Sequence, residues 1–148
     1  MTEPARPLSV RKQDTLYRLE HDVDLWVATV SADGAPYLMP LSFLWDGKTL
    51  LLSTARNNPT ARNLRANSAV QLTLGHTRDV VHIAGTSETM RSQDLPHSEA
   101  EAFAAKAGFD PRRSAYPYFR ITPTKIQSWR EVDELSNRVL MQDGTWLV

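Results

Sequence analysis

Trp26-Val-Ala-Thr-Val-Ser31, the turn Ala32-Asp33-Gly34-Ala35-Pro36, Tyr37-Leu-Met-Pro-Leu-Ser-Phe-Leu-Trp45, the turn Asp46-Gly47 and Leu50-Leu-Leu-Ser-Thr54 follow one another without a break. Read together they are a three-stranded antiparallel meander. Asp-Gly between two alternating runs is the strongest short-range hairpin signal, because Gly accepts the positive φ that tight hairpin turns require. The next segment, Arg56-Asn57-Asn58-Pro59-Thr60-Ala61-Arg62-Asn63-Leu64, reads as a cationic helix start. Asn58 is placed to cap it, and Pro59 at the first helical position sacrifices no needed donor. That helix is expected to run to about Ala66, stop at Asn67, and give way to a half-buried strand over Ala69-Val-Gln-Leu-Thr-Leu74.

Outward from this stretch the signals are weaker. Residues 1–8 hold two prolines and mixed charges and read as a loose tail. Ser9 to about His21 reads as a helix capped by Ser9, with Val10, Leu16 and Leu19 as a thin apolar face. Beyond Leu74, a strand from Asp79 to about Met90 is expected to pair with the preceding one, and Gly85 within it marks a bulge or close backbone approach. Ser98-Glu-Ala-Glu101 is a capping-box pattern for an Ala-rich helix ending at Gly108. Tyr116 to Trp129 is a long extended run, and Asp143-Gly144 turns a closing hairpin between Arg138–Met141 and Thr145–Val148. Six or more strands joined mostly by short turns, with two or three short helices, predict a mainly β fold, a closed or nearly closed antiparallel barrel.

Bulk properties narrow the function. The 148 residues are read as a single domain, 1–148, large enough to bury one core. Lys and Arg number 17 and Asp and Glu number 17, so no basic face for nucleic acid is implied and association of copies is not opposed. Cys is absent, which removes thiolate metal sites, disulfides and cysteine nucleophiles. No apolar run approaches the ~20 residues of a membrane span, and the first residues lack the apolar core of a secretory signal. A cytoplasmic protein is expected.

Few residues advertise chemistry. His21, His76, His82 and His97 are scattered without a metal-ligand spacing, so no metal site is expected; His82 reads as a hydrogen-bonded strand residue. There is no nucleophile elbow and no Gly-rich phosphate loop. The four Trp, at 26, 45, 129 and 146, read as core or interface anchors. Glu131 and Asp133-Glu134 read as a solvated acidic loop.

Two features stand out. Ser53 and Thr54 end a strand beside Arg56, Asn58, Thr60 and Arg62, and a helix N-terminus with nearby hydroxyls and guanidinium groups suits a phosphate. A solvated helix with surface arginines accounts for the same residues and is the stronger reading from residue types alone. Pro40 lies in mid-strand, where it cannot donate to a ladder, and so marks an edge or a bulge; a flat heteroaromatic ring could meet backbone groups there.

On these motifs the chain resembles the flavin-binding split-barrel superfamily of the pyridoxamine 5′-phosphate oxidases. The matching residues are Ala28-Thr-Val-Ser-Ala-Asp-Gly-Ala-Pro36, Met39-Pro-Leu41, Leu52-Ser-Thr54, Ala61-Arg-Asn-Leu64 and the strand after Asn67. The Arg-Asn-Leu turn and Trp129-Arg-Glu131 are similar to the small actinobacterial branch with deazaflavin-dependent reductases. The resemblance implies a six-stranded antiparallel split barrel, a homodimer with cofactor clefts at the interface, and FMN or an 8-hydroxy-5-deazaflavin coenzyme as cofactor. It also implies hydride transfer to or from a small unsaturated substrate, with no catalytic side chain named. Carried over residue by residue, cofactor contacts fall on Met39, Pro40, Leu41, Ser42, Ser53, Thr54, Arg56, Asn58, Thr60, Arg62 and Asn63.

The chain departs from the family pattern at three positions. Thr60 stands where relatives commonly have Lys, and Leu38 and Phe43 stand where pyridoxamine phosphate oxidases proper carry Arg and Lys. True pyridoxamine phosphate oxidation is therefore not expected. A non-catalytic flavin or tetrapyrrole carrier, or a cofactor-free structural dimer, remains the alternative.

Overall fold

The computed structural model describes residues 4–148. The meander is present as β1 (Asp24–Val30), β2 (Pro36–Trp45) and β3 (Leu50–Ser53). A short helix, α2 (Pro59–Ala66), leads into β4 (Ala69–Leu74) and β5 (Val80–Met90). After α3 (His97–Ala107) come β6 (Tyr118–Trp129), β7 (Val139–Gln142) and β8 (Thr145–Trp146); α1 (Leu8–His21) precedes them all. The strands lie in the order β3-β2-β1-β4-β5-β6-β7-β8, and a further β3–β6 pairing closes the first six into a barrel. The result is a closed six-stranded antiparallel barrel with two appended strands and three helices, as the turn pattern predicts.

The core explains the strand sequences. Leu25, Val27, Phe43, Leu50, Leu52, Leu72, Ile83, Phe119, Ile121 and Ile126 fill the barrel, and Leu19 of α1 and Leu64 of α2 pack against its ends. A second cluster joins Leu51 and Tyr118 to Ala100 and Phe103 of α3. β3 is covered on both faces, so Leu50, Leu51, Leu52 and Ser53 are all buried and its sequence is a continuous apolar run. In β5 the register slips between Ala84 and Gly85. A Cβ at Gly85 would lie 2.6 Å from the Thr122 carbonyl oxygen, so the glycine permits the close approach expected of it. The closing hairpin turns at Asp143 (φ 51°) and Gly144 (φ 76°), a pair suited to a type I′ turn.

Several local expectations are corrected. The first helix begins at Leu8 after Pro7, and Ser9 makes no capping bond. Its buried face is Arg11, Thr15 and Leu19, whereas Val10 is exposed. Arg11 can be buried because its guanidinium donates to the carbonyls of Ser128, Glu134 and Asn137. α3 starts at His97 with no side-chain cap, and Glu101 pairs with Arg112 at 2.6 Å rather than closing a capping box. Glu134 is not solvated: it is buried and accepts from Arg6 Nη2 at 2.8 Å and the Arg130 amide at 2.9 Å. Part of the expected loose tail, residues 1–3, lies outside the described residues, but Arg6 is held firmly by Glu134 and Asp14.

Candidate functional site

Pro40 does not interrupt its strand. β1 and β2 stay in register from Asp24↔Ser42 to Val30↔Pro36, with Trp26 opposite Pro40. β3, however, pairs only with Phe43 to Trp45. Residues 36–42 of β2 therefore have a neighbour on one side and an open edge on the other. The Phe43 amide donates to Val23, so odd-numbered residues here turn their backbone groups toward β1. Even-numbered ones turn theirs to the open edge: Pro40 offers only its carbonyl, and Ser42 both amide and carbonyl. Of the two readings of Pro40, edge and bulge, the edge holds.

This edge forms one wall of a cleft of ≈ 360 Å³. Pro40, Leu41 and Ser42 face Ser53, Thr54 and Asn58 across it, and Asp24, Phe109 and Tyr116 complete its lining. The polar groups are already partly committed. Ser53 Oγ donates to the Pro117 carbonyl at 2.7 Å. Asn58 Nδ2 donates to Thr54 Oγ1 at 2.9 Å, which leaves the Thr54 proton free to turn into the cleft. Asn58 thus occupies the cap position of α2 but makes no capping bond, contrary to the role first assigned to it. Intrahelical bonding resumes only at the Arg62 amide, so the first amides of α2 lack a side-chain partner.

The remaining candidates lie outside this cleft. Thr60 and Asn63 are buried, and Asn63 Nδ2 donates to Thr29 Oγ1 at 3.1 Å, fastening α2 to β1. Met39 is on β2 but does not line the cleft. Arg62 is exposed, and Arg56 lines a different cleft. Among the described residues the only charged side chain lining the first cleft is Asp24, which accepts from Ser42 Oγ at 2.7 Å. Asp24, Phe109 and Tyr116 escaped the sequence reading. Asp24 opens a strand with no motif around it, and the two aromatics come from a loop that reaches the cleft only when the barrel closes.

No group of three or more potential metal ligands comes together among the described residues. His82, whose Nε2 lies 2.7 Å from Gln71 Oε1, is held below its usual pKa first by burial and then by Lys125 and Arg138. It is the hydrogen-bonded strand residue anticipated. No helix among the described residues is long and apolar enough to cross a membrane.

Barrel and strand edge define a protein of the split-barrel class. The chain belongs to the pyridoxamine 5′-phosphate oxidase family, whose sequence profile matches residues 18–130. Comparison with curated proteins gives no match. Among solved structures, an F420 reductase is 20% identical with a TM-score of 0.63, over 74% of this chain and 93% of that one. HupZ from Group A Streptococcus is 20% identical with a TM-score of 0.65, over 80% and 94% of the two chains. An FAD-binding protein from Mesorhizobium loti is 18% identical with a TM-score of 0.63, over 78% and 89%. At such identities these likenesses establish the shared fold.

Proposed function

We propose that this protein is a flavin- or deazaflavin-dependent oxidoreductase, acting as a homodimer on a small unsaturated substrate. The observation that carries this reading is the cleft between the open edge of β2 and the start of α2, where backbone groups, aromatic walls and hydroxyls converge. Its donor set fits the cofactor class. The carbonyl of Pro40 and the amide and carbonyl of Ser42 suit the polar edge of a planar heterocycle, and Leu41, Phe109 and Tyr116 suit its faces. Thr54 and Asn58 supply neutral donors for a phosphate. The bound ring would supply hydride transfer, and the protein would supply orientation, shielding from water and electrostatics.

The surface supports a dimer. Leu25, Val27 and Thr29 point into the barrel, so Trp26 and its cross-strand neighbour Pro40 point outward, as does Leu38. Trp26 is 46% exposed and Leu38 57%, which makes an apolar face beside the cleft.

A second reading, a carrier without turnover, is favoured by two observations: the sole charged side chain among the described residues lining the cleft is acidic, and Thr60 is buried in place of the family's usual Lys. Titration of the purified protein with FMN and with the deazaflavin, followed by visible absorbance, tests the site. Saturable binding is expected, weakened about tenfold or more in Thr54→Val/Asn58→Ala, since charged hydrogen bonds are among the stronger polar contacts. Unchanged affinity in that variant would place the cofactor elsewhere. Turnover of the reduced cofactor with quinones or enones separates enzyme from carrier.

A further inference from the structure

Next to the proposed cofactor cleft lies a second one of ≈ 380 Å³ that the reading above does not use. The two are back to back. Ala55 and Tyr116 line the first, whereas Arg56 and Pro117 line the second, so the crossing segments 54–56 and 115–117 form the ridge between them. Three guanidinium groups surround the second cleft, those of Arg56, Arg65 and Arg91, and Met90, Thr89 and Pro117 supply an apolar and hydroxyl-bearing floor. No acidic residue among the described residues lines it.

Among the described residues Arg6, Arg11, Arg18, Arg78, Arg91, Arg112, Arg120 and Arg130 have a carboxylate within 4 Å, whereas Arg56, Arg62, Arg65, Arg113 and Arg138 do not. Arg56 and Arg65 have no such partner among the described residues, and both border this one cleft. Two of the three guanidinium groups are also set in place. Arg65 Nη1 donates to the Arg56 carbonyl at 2.7 Å, and Arg91 is held by Asp94 through bonds of 2.9 and 3.3 Å. Arg91 has Asp94 as a counterion, but the like charges of Arg56 and Arg65 have none among the described residues and repel, and a planar guanidinium is the side chain best matched to an oxyanion.

We propose that this cleft binds a multivalent oxyanion, a phosphate or polycarboxylate group carried by a small molecule whose apolar part rests on Met90 and Pro117. The site does not depend on the flavin reading, since it shares no lining residue with the first cleft. Isothermal titration of the full chain with inorganic pyrophosphate and, separately, with citrate tests it and distinguishes the two chemistries. Saturable heat is expected from at least one of them. The affinity should fall at least tenfold in Arg56→Gln/Arg65→Gln, hold within threefold in Arg113→Gln, and recover in part in Arg56→Lys/Arg65→Lys. Raising the salt concentration should weaken binding severalfold. The substituted side chains are exposed, so native circular dichroism is expected in each variant. Absence of saturable heat from both anions, or heat that survives in the double Gln variant, would overturn the proposal; neither result bears on flavin absorbance.

Discussion

Glu134 shows how much a single carboxylate can hold. It accepts from the Arg6 guanidinium and from the amides of Arg6 and Arg130, in a setting where its side chain is 3% exposed. The bond from Arg6 brings its pKa from the ordinary 4.5 down to about 2. A folded value below the unfolded one means that its stabilisation is complete above about pH 5 and fades as the pH falls toward 2. The effect is on the order of 3 kcal/mol. Urea unfolding at pH 7 and pH 3 checks this: Glu134→Gln should lower stability at pH 7 and flatten the loss on acidification. An unaltered pH slope would show that other carboxylates set it. Asp24 makes the opposite kind of prediction. As the one charge among the described residues lining the proposed cofactor cleft it should disfavour a phosphate, so Asp24→Asn is expected to tighten FMN binding by roughly 1 kcal/mol, about fivefold. Neither role was legible in the sequence. Glu134 finds its partner 128 positions away and looks like one acid in an exposed acidic cluster. Ser53, Thr54 and Pro40 were legible because strand ends, hydroxyls and a mid-strand proline each carry a local meaning.

At the scale of elements, the readable parts were those with short-range causes. β1, β2 and β3 follow from alternation and Asp-Gly turns, and α2 from Asn58-Pro59. The bulge at Gly85 follows from a glycine in an otherwise branched strand. Gly85→Ala should cost about 1–3 kcal/mol, because the new methyl meets the Thr122 carbonyl at 2.6 Å and the backbone must shift. Thermal unfolding reads the loss; a stability equal to wild type would mean that β6 yields freely there. What failed were the caps. Ser9, Asn58 and Ser98 all have capping side chains at plausible positions, yet none makes the bond. In α1 the cap position is held by Pro7 and in α3 by Pro96, each two residues before the serine expected there. In α2 the amide of Asn58 is instead drawn to Thr54.

For the whole molecule, closure of the barrel brings together segments that no local pattern connects. Phe109 and Tyr116 reach the first cleft, and Met90 and Pro117 the second, only because β6 returns to lie between β3 and β5. Association belongs to the same scale. Sedimentation velocity is expected to show a dimer for the wild-type chain and a monomer for Trp26→Glu/Leu38→Glu, with the variant retaining its circular dichroism. A dimer that survives both charges would move the interface off the β1–β2 face.

The seam between β3 and β6 has a further consequence for how the chain reaches its native state. Its pairs, from Leu50↔Ile121 to Ser53↔Tyr118, join positions about 70 residues apart, so much loop-closure entropy must be surrendered before they form. High contact order of this kind belongs to proteins that fold in milliseconds to seconds rather than microseconds. A nascent chain still lacking β6 would carry two unsatisfied strand borders, one on β3 and one on β5, and would be at its most adhesive while still emerging from the ribosome.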